Sequence, residues 1–322
     1  MAAIKDILTR YQGKIDRLDI ELIIAHEIGK TREFVLAHPE YIIPATHNSQ
    51  LATLIKRRLK QEPLAYILGQ KEFFGLNFKV NKAVLIPRPE TEMLVELALH
   101  ELTRLDSQRR CVDARRATNN RPASTQRGKQ PTTILDLGTG SGNIIISLAH
   151  NIKHGTWNNM RFFGIDISNK ALTMAKRNAK FHKVDKQIKF LKGNLLEPIL
   201  KKCFMFHAPC SMIILANLPY LSKEIYNSTP KSVRKFEPKS ALFSPQNGLG
   251  HYAKLLKQLN KLKSGCSMFH ACLSGRQVSC FMEISPEQKP ALENLAASIL
   301  PGARLEFIKD LAGKWRVCKI VL

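Results

Sequence analysis

The chain has 322 residues, 44% of them hydrophobic and 24% charged, which suits one large domain plus one small one and excludes disorder for the bulk of the chain. Fifty Lys plus Arg against 26 Asp plus Glu give a net charge of +24, a balance that favours acidic or nucleic-acid partners and speeds their encounter. Apolar runs such as Ile144–Ile146 and Met212–Ala216 are strand- or helix-length, well short of the roughly 18 residues of a membrane span, and Met1–Asp6 lacks a signal-peptide pattern, so a cytoplasmic protein is expected.

Residues 1–75 read as a small helical module. Leu18, Leu22 and Ala25 follow a helical stripe, with Asp19 as a candidate N-cap and Gly29 as a stop. Thr31 can cap a short helix that ends before His38-Pro39. Ser49 can cap another, with Leu51, Leu54 and Ile55 opposite Lys56-Arg57-Arg58. From Leu76 to Val84 apolar and polar residues alternate as in a hairpin. The segment 76–105 thus reads as hairpin and connecting helix. Residues 106–131 hold six Arg and many Gln, Asn, Ser and Thr with no apolar period; they read as a basic flexible linker or insertion.

Residues 132–322 alternate strands with helices, which predicts a mostly parallel sheet covered on both faces. The expected strands are 133–137, 161–165, 187–191, 211–216, 278–284, 304–308 and 316–321. The expected helices are 143–150, 170–181, 252–262 and 286–299. A short loop joins the last two strands, so they should pair antiparallel. The seven cysteines, Cys111 to Cys318, include no C-x-x-C pair, and neither a metal site nor a disulfide framework is indicated.

The first of these strands runs into Gly138-Thr139-Gly140-Ser141-Gly142 and then a helix. Glycines let the backbone approach a ligand, and the helix N-terminus offers free N–H groups. The spacing is G-x-G-x-G, neither the G-x-G-x-x-G of dinucleotide folds nor a P-loop. Asp166 ends the next strand, where a carboxylate can accept both ribose hydroxyls of a nucleoside. Loop, helix and acid look like the S-adenosylmethionine site of class I methyltransferases. A plain strand–helix turn and a dinucleotide site remain open as readings of these residues alone.

The fourth strand ends in Asn217-Leu218-Pro219-Tyr220. This resembles the [DN]-P-P-Y motif of methyltransferases that act on planar amino groups, with Leu in place of the first Pro. An amide or aryl-amine nitrogen is a poor nucleophile because its lone pair is delocalised. The side-chain oxygen of Asn217 and the main-chain oxygen of Leu218 can accept its two N–H bonds and aim the lone pair at a methyl donor. Pro219 stiffens the loop and Tyr220 can stack on the planar group. The N-L-P-Y form also occurs in rRNA adenine dimethylases, so an adenine N6-methyltransferase acting on rRNA or DNA is the rival reading. A third is an idle RNA- or ribosome-binding protein with a decayed methyltransferase fold, against which the intact glycines, Asp166, Asn217 and Tyr220 speak.

The segments Pro63–Gly69, Glu72–Leu76 and, above all, Ile86-Pro87-Arg88-Pro89-Glu90-Thr91-Glu92 closely resemble the PrmC/HemK family, the release factor glutamine N5-methyltransferases. The likeness continues through Glu237-Pro238, Gly248–Tyr252, Glu283-Ile284, Gln288, Lys309–Gly313 and Arg316. It implies an α/β fold, a class I S-adenosylmethionine-dependent methyltransferase with a Rossmann-like seven-stranded sheet and a small helical N-terminal domain. By the same likeness Gly138, Thr139, Gly140, Ser141 and Gly142 bind the methionine part of the donor, Asp166 its ribose, and Leu195 lies at its adenine. Asn217 touches donor and acceptor. Asn217, Leu218, Pro219 and Tyr220 hold the glutamine, and Arg88 and Glu90 line the substrate pocket. The implied acceptor is the glutamine of the Gly-Gly-Gln loop of class 1 peptide chain release factors, with the N-terminal domain helping to dock it. No metal or membrane is implied, and nucleic acid contact is compatible with the charge but not required. The chain departs from the family at Leu195, where an aromatic is frequent, at Ser211-Met212, where an Asp is usual, and at Ser285, where Gly is usual. The connection 263–277 is also longer.

Overall fold

A computed structural model of the chain describes residues 2–118, 131–152, 160–201, 211–264 and 278–322. Five helices open it: α1 Ile4–Tyr11, α2 Arg17–Ile28, α3 Arg32–Ala37, α4 Ala45–Leu59 and α5 Leu64–Leu68. They close on a core of their own that includes Ile4, Ile20, Ile23, Ile24, Val35, Ile43, Leu54 and Ile55. Helix α2 is capped by Asp16, whose side chain accepts from the Leu18 amide, rather than by Asp19. Starting α2 earlier turns Ile20, Ile23 and Ile24 inward and leaves Leu18 45% exposed. Asp19 instead pairs with Arg58 at 2.6 Å. Gly29 ends α2 in the left-handed conformation and Thr31 caps α3, both as expected. Helix α4 begins after Pro44, one turn before Ser49, and has no side-chain cap.

The hairpin lies earlier than the alternating pattern places it. Strands β1 Gln70–Phe73 and β2 Leu76–Lys79 pair antiparallel, and the tight turn at Phe74-Gly75 takes two positive φ angles. Val80 and Val84 are buried beyond it, packed with Tyr66, Ile86, Ala171, Met174 and Phe236. A short 3-10 turn, Pro89–Thr91, leads into α6 Glu92–Thr118. The backbone therefore stays helical through the first part of the 106–131 stretch. Arg, Gln and Ala are good helix formers, and no Gly or Pro interrupts them before Thr118. The remainder of that stretch, residues 119–130, lies outside the described residues, as does the 265–277 connection.

The large sheet has seven strands: β3 Thr132–Leu137, β4 Met160–Asp166, β5 Ile188–Lys192, β6 Ser211–Ala216, β7 Val278–Glu283, β8 Arg304–Lys309 and β9 Trp315–Val321. Their order is β5-β4-β3-β6-β7-β9-β8. The first five are parallel, and β9 pairs antiparallel with both β7 and β8. Helices α6, α7 Asn143–Asn151 and α8 Asn169–Phe181 cover one face, against Ile134, Ile213, Leu215 and Phe281. The other face, with Leu135, Ile214, Cys280 and Met282, packs on α12 Gly250–Ser264 and α13 Lys289–Ile299. Strand β3, β6 and β7 side chains are buried throughout, as two covered faces require. The remaining helices, α9 Glu197–Lys201, α10 Lys223–Ser228 and α11 Lys231–Phe236, are short. Cys280 and Cys318 are buried free thiols. Among the described residues no helix is long and apolar enough to cross a membrane.

Candidate active site

The chain runs outward from β3 to β4 and β5, then returns and runs outward the other way through β6 and β7. The direction switches between β3 and β6, and a crevice opens beyond the carboxyl ends of strands at such a point. Leu137 and Ala216 are register partners there, so Gly138 and Asn217 are the next residues on adjacent strands.

The glycine loop is held by the neighbouring strand. The Gly138 and Thr139 amides both donate to the Ile165 carbonyl, at 2.8 and 3.0 Å. Gly142 closes the loop at φ +82°, and a Cβ there would stand 2.7 Å from Ile146 and 3.2 Å from Ala175. Only glycine combines that backbone with the close approach of α7 to α8. Asn178, fully buried on α8, donates to the Ser141 carbonyl and pairs with both polar groups of the Lys79 backbone. It ties the loop to the hairpin.

Asp166 Oδ2 accepts from the Gly140 amide at 3.0 Å and Oδ1 from the Ser168 amide at 2.8 Å. Burial raises its pKa, with these backbone bonds opposing. A carboxylate has about four lone-pair positions, so two bonds fix its plane and leave acceptor capacity. Ile167, next to it, is 62% exposed. The sequence pattern did not single it out, although an apolar residue between a strand-end acid and a helix cap has no core to fill. Leu195, in contrast, is buried in the core with φ +58°. Gln258 fixes that turn by accepting from the Leu196 amide and donating to the Asn194 carbonyl. The Gly193–Leu195 turn can therefore offer backbone rather than the Leu195 side chain.

Asp136 was also missed. It is fully buried, and Oδ2 accepts from the Thr139 hydroxyl at 2.6 Å. Oδ1 makes no hydrogen bond among the described residues, although the Ile145 amide is near enough to favour the charged form. Burial pushes the pKa up to about 7. An orphaned buried carboxylate oxygen at the root of a glycine loop suits a cationic or N–H-bearing ligand.

Across the crevice, Asn217 Nδ2 donates to Thr91 Oγ1 at 2.9 Å, and the Thr91 hydroxyl donates to Glu283 Oε2 at 2.7 Å. Thr91 and Glu283 are each 2% exposed. Burial first, partly offset by the Thr91 bond and Arg316, lifts the Glu283 pKa to about 7. Leu218 is buried and Pro219 half-buried. The Tyr220 carbonyl accepts from Gln288 Nε2 at 3.0 Å. Gly248 packs so closely that a Cβ would lie 2.2 Å from that same oxygen. Burial and then Glu283 raise the Tyr220 phenol to about 12, so it stays neutral and is no base.

Arg88 Nη2 meets Glu237 Oε1 at 2.5 Å, and Glu237 Oε2 accepts from the Ile86 amide. The Glu237 side chain is 1% exposed and the Arg88 side chain 37%. The structure thus brings Arg88 to a buried partner first, with part of its side chain exposed. Glu90 is exposed, close enough to act on the charges of Glu283 and Tyr220. Among the described residues no His, Cys, Asp and Glu cluster could hold a metal ion.

Comparison with known proteins fits this geometry. A model of the PrmC N-terminal domain matches residues 2–69, and a methyltransferase domain model matches residues 129–277. The release factor glutamine methyltransferase of Enterococcus faecalis is 32% identical over 306 residues, covering 95% of this chain and 92% of that protein. The chain belongs to the release factor glutamine methyltransferase family. Family members in Thermodesulfovibrio yellowstonii and Clostridium botulinum are 32% and 30% identical. The match covers 98% of this chain in both cases, and 95% and 98% of those proteins. A bifunctional methyltransferase of Rickettsia felis is 30% identical over 98% of this chain, which spans 57% of it. Family membership and the seven-stranded sheet agree with the fold expected from the sequence.

Proposed function

We propose that the protein transfers a methyl group from S-adenosylmethionine to the side-chain amide nitrogen of a glutamine, that of the Gly-Gly-Gln loop of class 1 release factors. The observation that carries this reading is the Asn217 amide, fixed by Thr91 at the switch point one residue from the glycine loop. Its Nδ2 is turned to Thr91, so Oδ1 is left as an acceptor for a substrate N–H.

The residues present fit the donor. The Gly138–Gly142 backbone can lie along its amino-acid part, and Asp136 can meet positive charge there. Asp166 can accept from the ribose, and Ile167 together with the Gly193–Leu195 turn can cover the base. When bound, the donor supplies an electrophilic methyl on a sulfonium. The protein supplies position. Asn217 Oδ1 and the Leu218 carbonyl accept the two N–H bonds of the planar amide. Pro219 brings no competing N–H. Tyr220, a neutral ring anchored through its own carbonyl, stacks on the amide plane. As the methyl is taken up the nitrogen grows acidic, and these acceptors stabilise the developing positive charge until its proton leaves to solvent. Arg88 and Glu90 line the acceptor side, and the N-terminal helices help to seat the factor. Release factors are generally acidic, which suits a partner of charge +24.

The test is methyl transfer from labelled donor to purified release factor, followed by peptide mass spectrometry. A gain of one methylene mass on the Gly-Gly-Gln peptide is expected. Label found only in rRNA or DNA would select adenine chemistry instead. Donor binding with no transfer to any of these would leave a binding protein.

A further inference from the structure

We propose that Glu283, through Thr91, is the positioning group that sets which way the Asn217 amide faces, so that the acceptor oxygen rather than the NH2 is presented to the incoming amide. The inference rests on the reading of Asn217 as the holder of the methyl-accepting nitrogen. An Asn side chain has two orientations related by a half-turn, and they differ only in which end donates. At Asn217 the wrong one would oppose two donors to each other. Nothing in Asn217 itself selects between them.

The selection comes from a one-way chain. An ionised carboxylate only accepts. Glu283 therefore takes the single proton of the Thr91 hydroxyl, 2.7 Å away. With its proton committed, Thr91 Oγ1 can only accept from its other neighbour, Asn217 at 2.9 Å, which must then present Nδ2. Oδ1 is left for substrate. The chain joins three separate elements: β7, the 3-10 turn before α6, and the loop after β6. Burial of Thr91 and Glu283 keeps water from supplying alternative partners.

Protonated Glu283 would break the rule. It could donate to Thr91, Thr91 could donate to Oδ1, and the amide could turn over. The surroundings hold this equilibrium near neutrality. Burial and Glu90 favour the protonated acid, while Thr91, Arg316 and Arg88 favour the carboxylate. The Tyr220 phenol is neutral, and the buried Tyr252 hydroxyl donates to the Glu283 main-chain oxygen, not to its carboxyl. The Glu283 carboxyl titrates around pH 7. Ionised above that value, it holds Asn217 correctly; activity should therefore fall on the acid side.

The experiment reads the Asn217 side-chain amide by NMR in protein labelled with 15N-asparagine, assigned by its loss in Asn217→Asp. From about pH 5.5 to about pH 8.5 the wild-type signal should titrate once. Glu283→Gln and Thr91→Val should abolish that titration, and Thr91→Ser should restore it. In parallel, Thr91→Val should lower kcat for the release factor about tenfold or more with the donor Kd little changed, while Thr91→Ser recovers most of the rate. Glu283→Gln should lose the acid limb of the kcat profile. An Asn217 signal in Thr91→Val and Glu283→Gln that matches wild type at every pH, or a Thr91→Val enzyme with wild-type kcat, overturns the proposal. The spectra also report whether each variant is folded. If the wild type fails to methylate any release factor, the proposed function falls, and the NMR titration still decides the orientation chain by itself.

Discussion

At the scale of single residues, the site is built from groups whose neighbours leave them one arrangement. Asn217 is the plainest case. On the proposed reading Asn217→Ala removes the acceptor of the substrate amide but leaves the glycine loop and Asp166 as they are. Turnover should fall about 10²-fold or more, as is typical when a positioning contact is lost, while donor binding by calorimetry survives in part. A variant with wild-type kcat would remove Asn217 from the chemistry. Asp136 tests a different property. Its pKa rises from 3.8 to about 7 on burial. A raised pKa means that the folded protein holds the proton more tightly than the unfolded chain. That contribution to stability is complete below the unfolded value and disappears as pH rises through about 7. Asn at 136 has no such dependence. The stability of Asp136→Asn relative to wild type should therefore climb from about pH 4 to about pH 7 and level off above. Urea midpoints across that range measure it, and a constant difference would mean that Asp136 is not the buried proton holder described above. That Asp166 ends β4 and Asn217 follows β6 was legible because strand ends are easy to find from periodicity. Thr91 and Glu283 were visible only as members of familiar strings. They meet across 192 residues, and no local pattern encodes a contact of that span.

At the scale of elements, periodicity located every strand of the large sheet and α7, α8, α12 and α13 mostly within a few residues, while α6 runs on to Thr118 through the first part of the stretch expected as a linker. The failures lie where side-chain bonding or turn chemistry decided the boundary. Asp16 and Asp19 both suit an N-cap, and the one whose frame buries Ile20, Ile23 and Ile24 prevailed. The hairpin moved because β1, Gln70–Phe73, carries mainly polar residues and shows no alternation of its own. Asn178 helps to hold this hairpin near the site, beside Glu92, which accepts from the Phe74 amide, and His182, which meets the Asn77 carbonyl. Asn178 satisfies the Lys79 amide and carbonyl and the Ser141 carbonyl together. Asn178→Ala would strand these groups in a buried place, at a cost of about 3 kcal/mol. It should also loosen the glycine loop, so that donor affinity drops along with the urea midpoint. Unchanged donor affinity in a destabilised but folded variant would show that the loop keeps its shape without the hairpin.

At the scale of the whole molecule, the excess of positive charge becomes an argument about rate. Among the described residues six acidic side chains, Glu21, Glu62, Glu101, Asp136, Glu237 and Glu283, are buried. Several neutralise specific arginines: Glu21 meets Arg17 and Arg32, Glu62 meets Arg57, and Glu237 meets Arg88. These six acids thus serve the interior, and many of the 50 basic residues face solvent. A field of one sign steers an acidic partner over distances set by the Debye length, about 10 Å at 0.1 M salt and about 3 Å at 1 M. On the proposed reading the amide of a seated acceptor is held by short-range contacts that salt scarcely reaches. Encounter and chemistry should therefore respond differently. With an intact acidic release factor, kcat/KM should fall about tenfold or more between low and high salt, while kcat at saturation changes little. A short neutral peptide carrying the same glutamine has no extended charge to steer, so its kcat/KM should stay nearly level over the same range. Equal salt slopes for factor and peptide would mean that the surface charge has no part in capture, and that docking relies on shape alone.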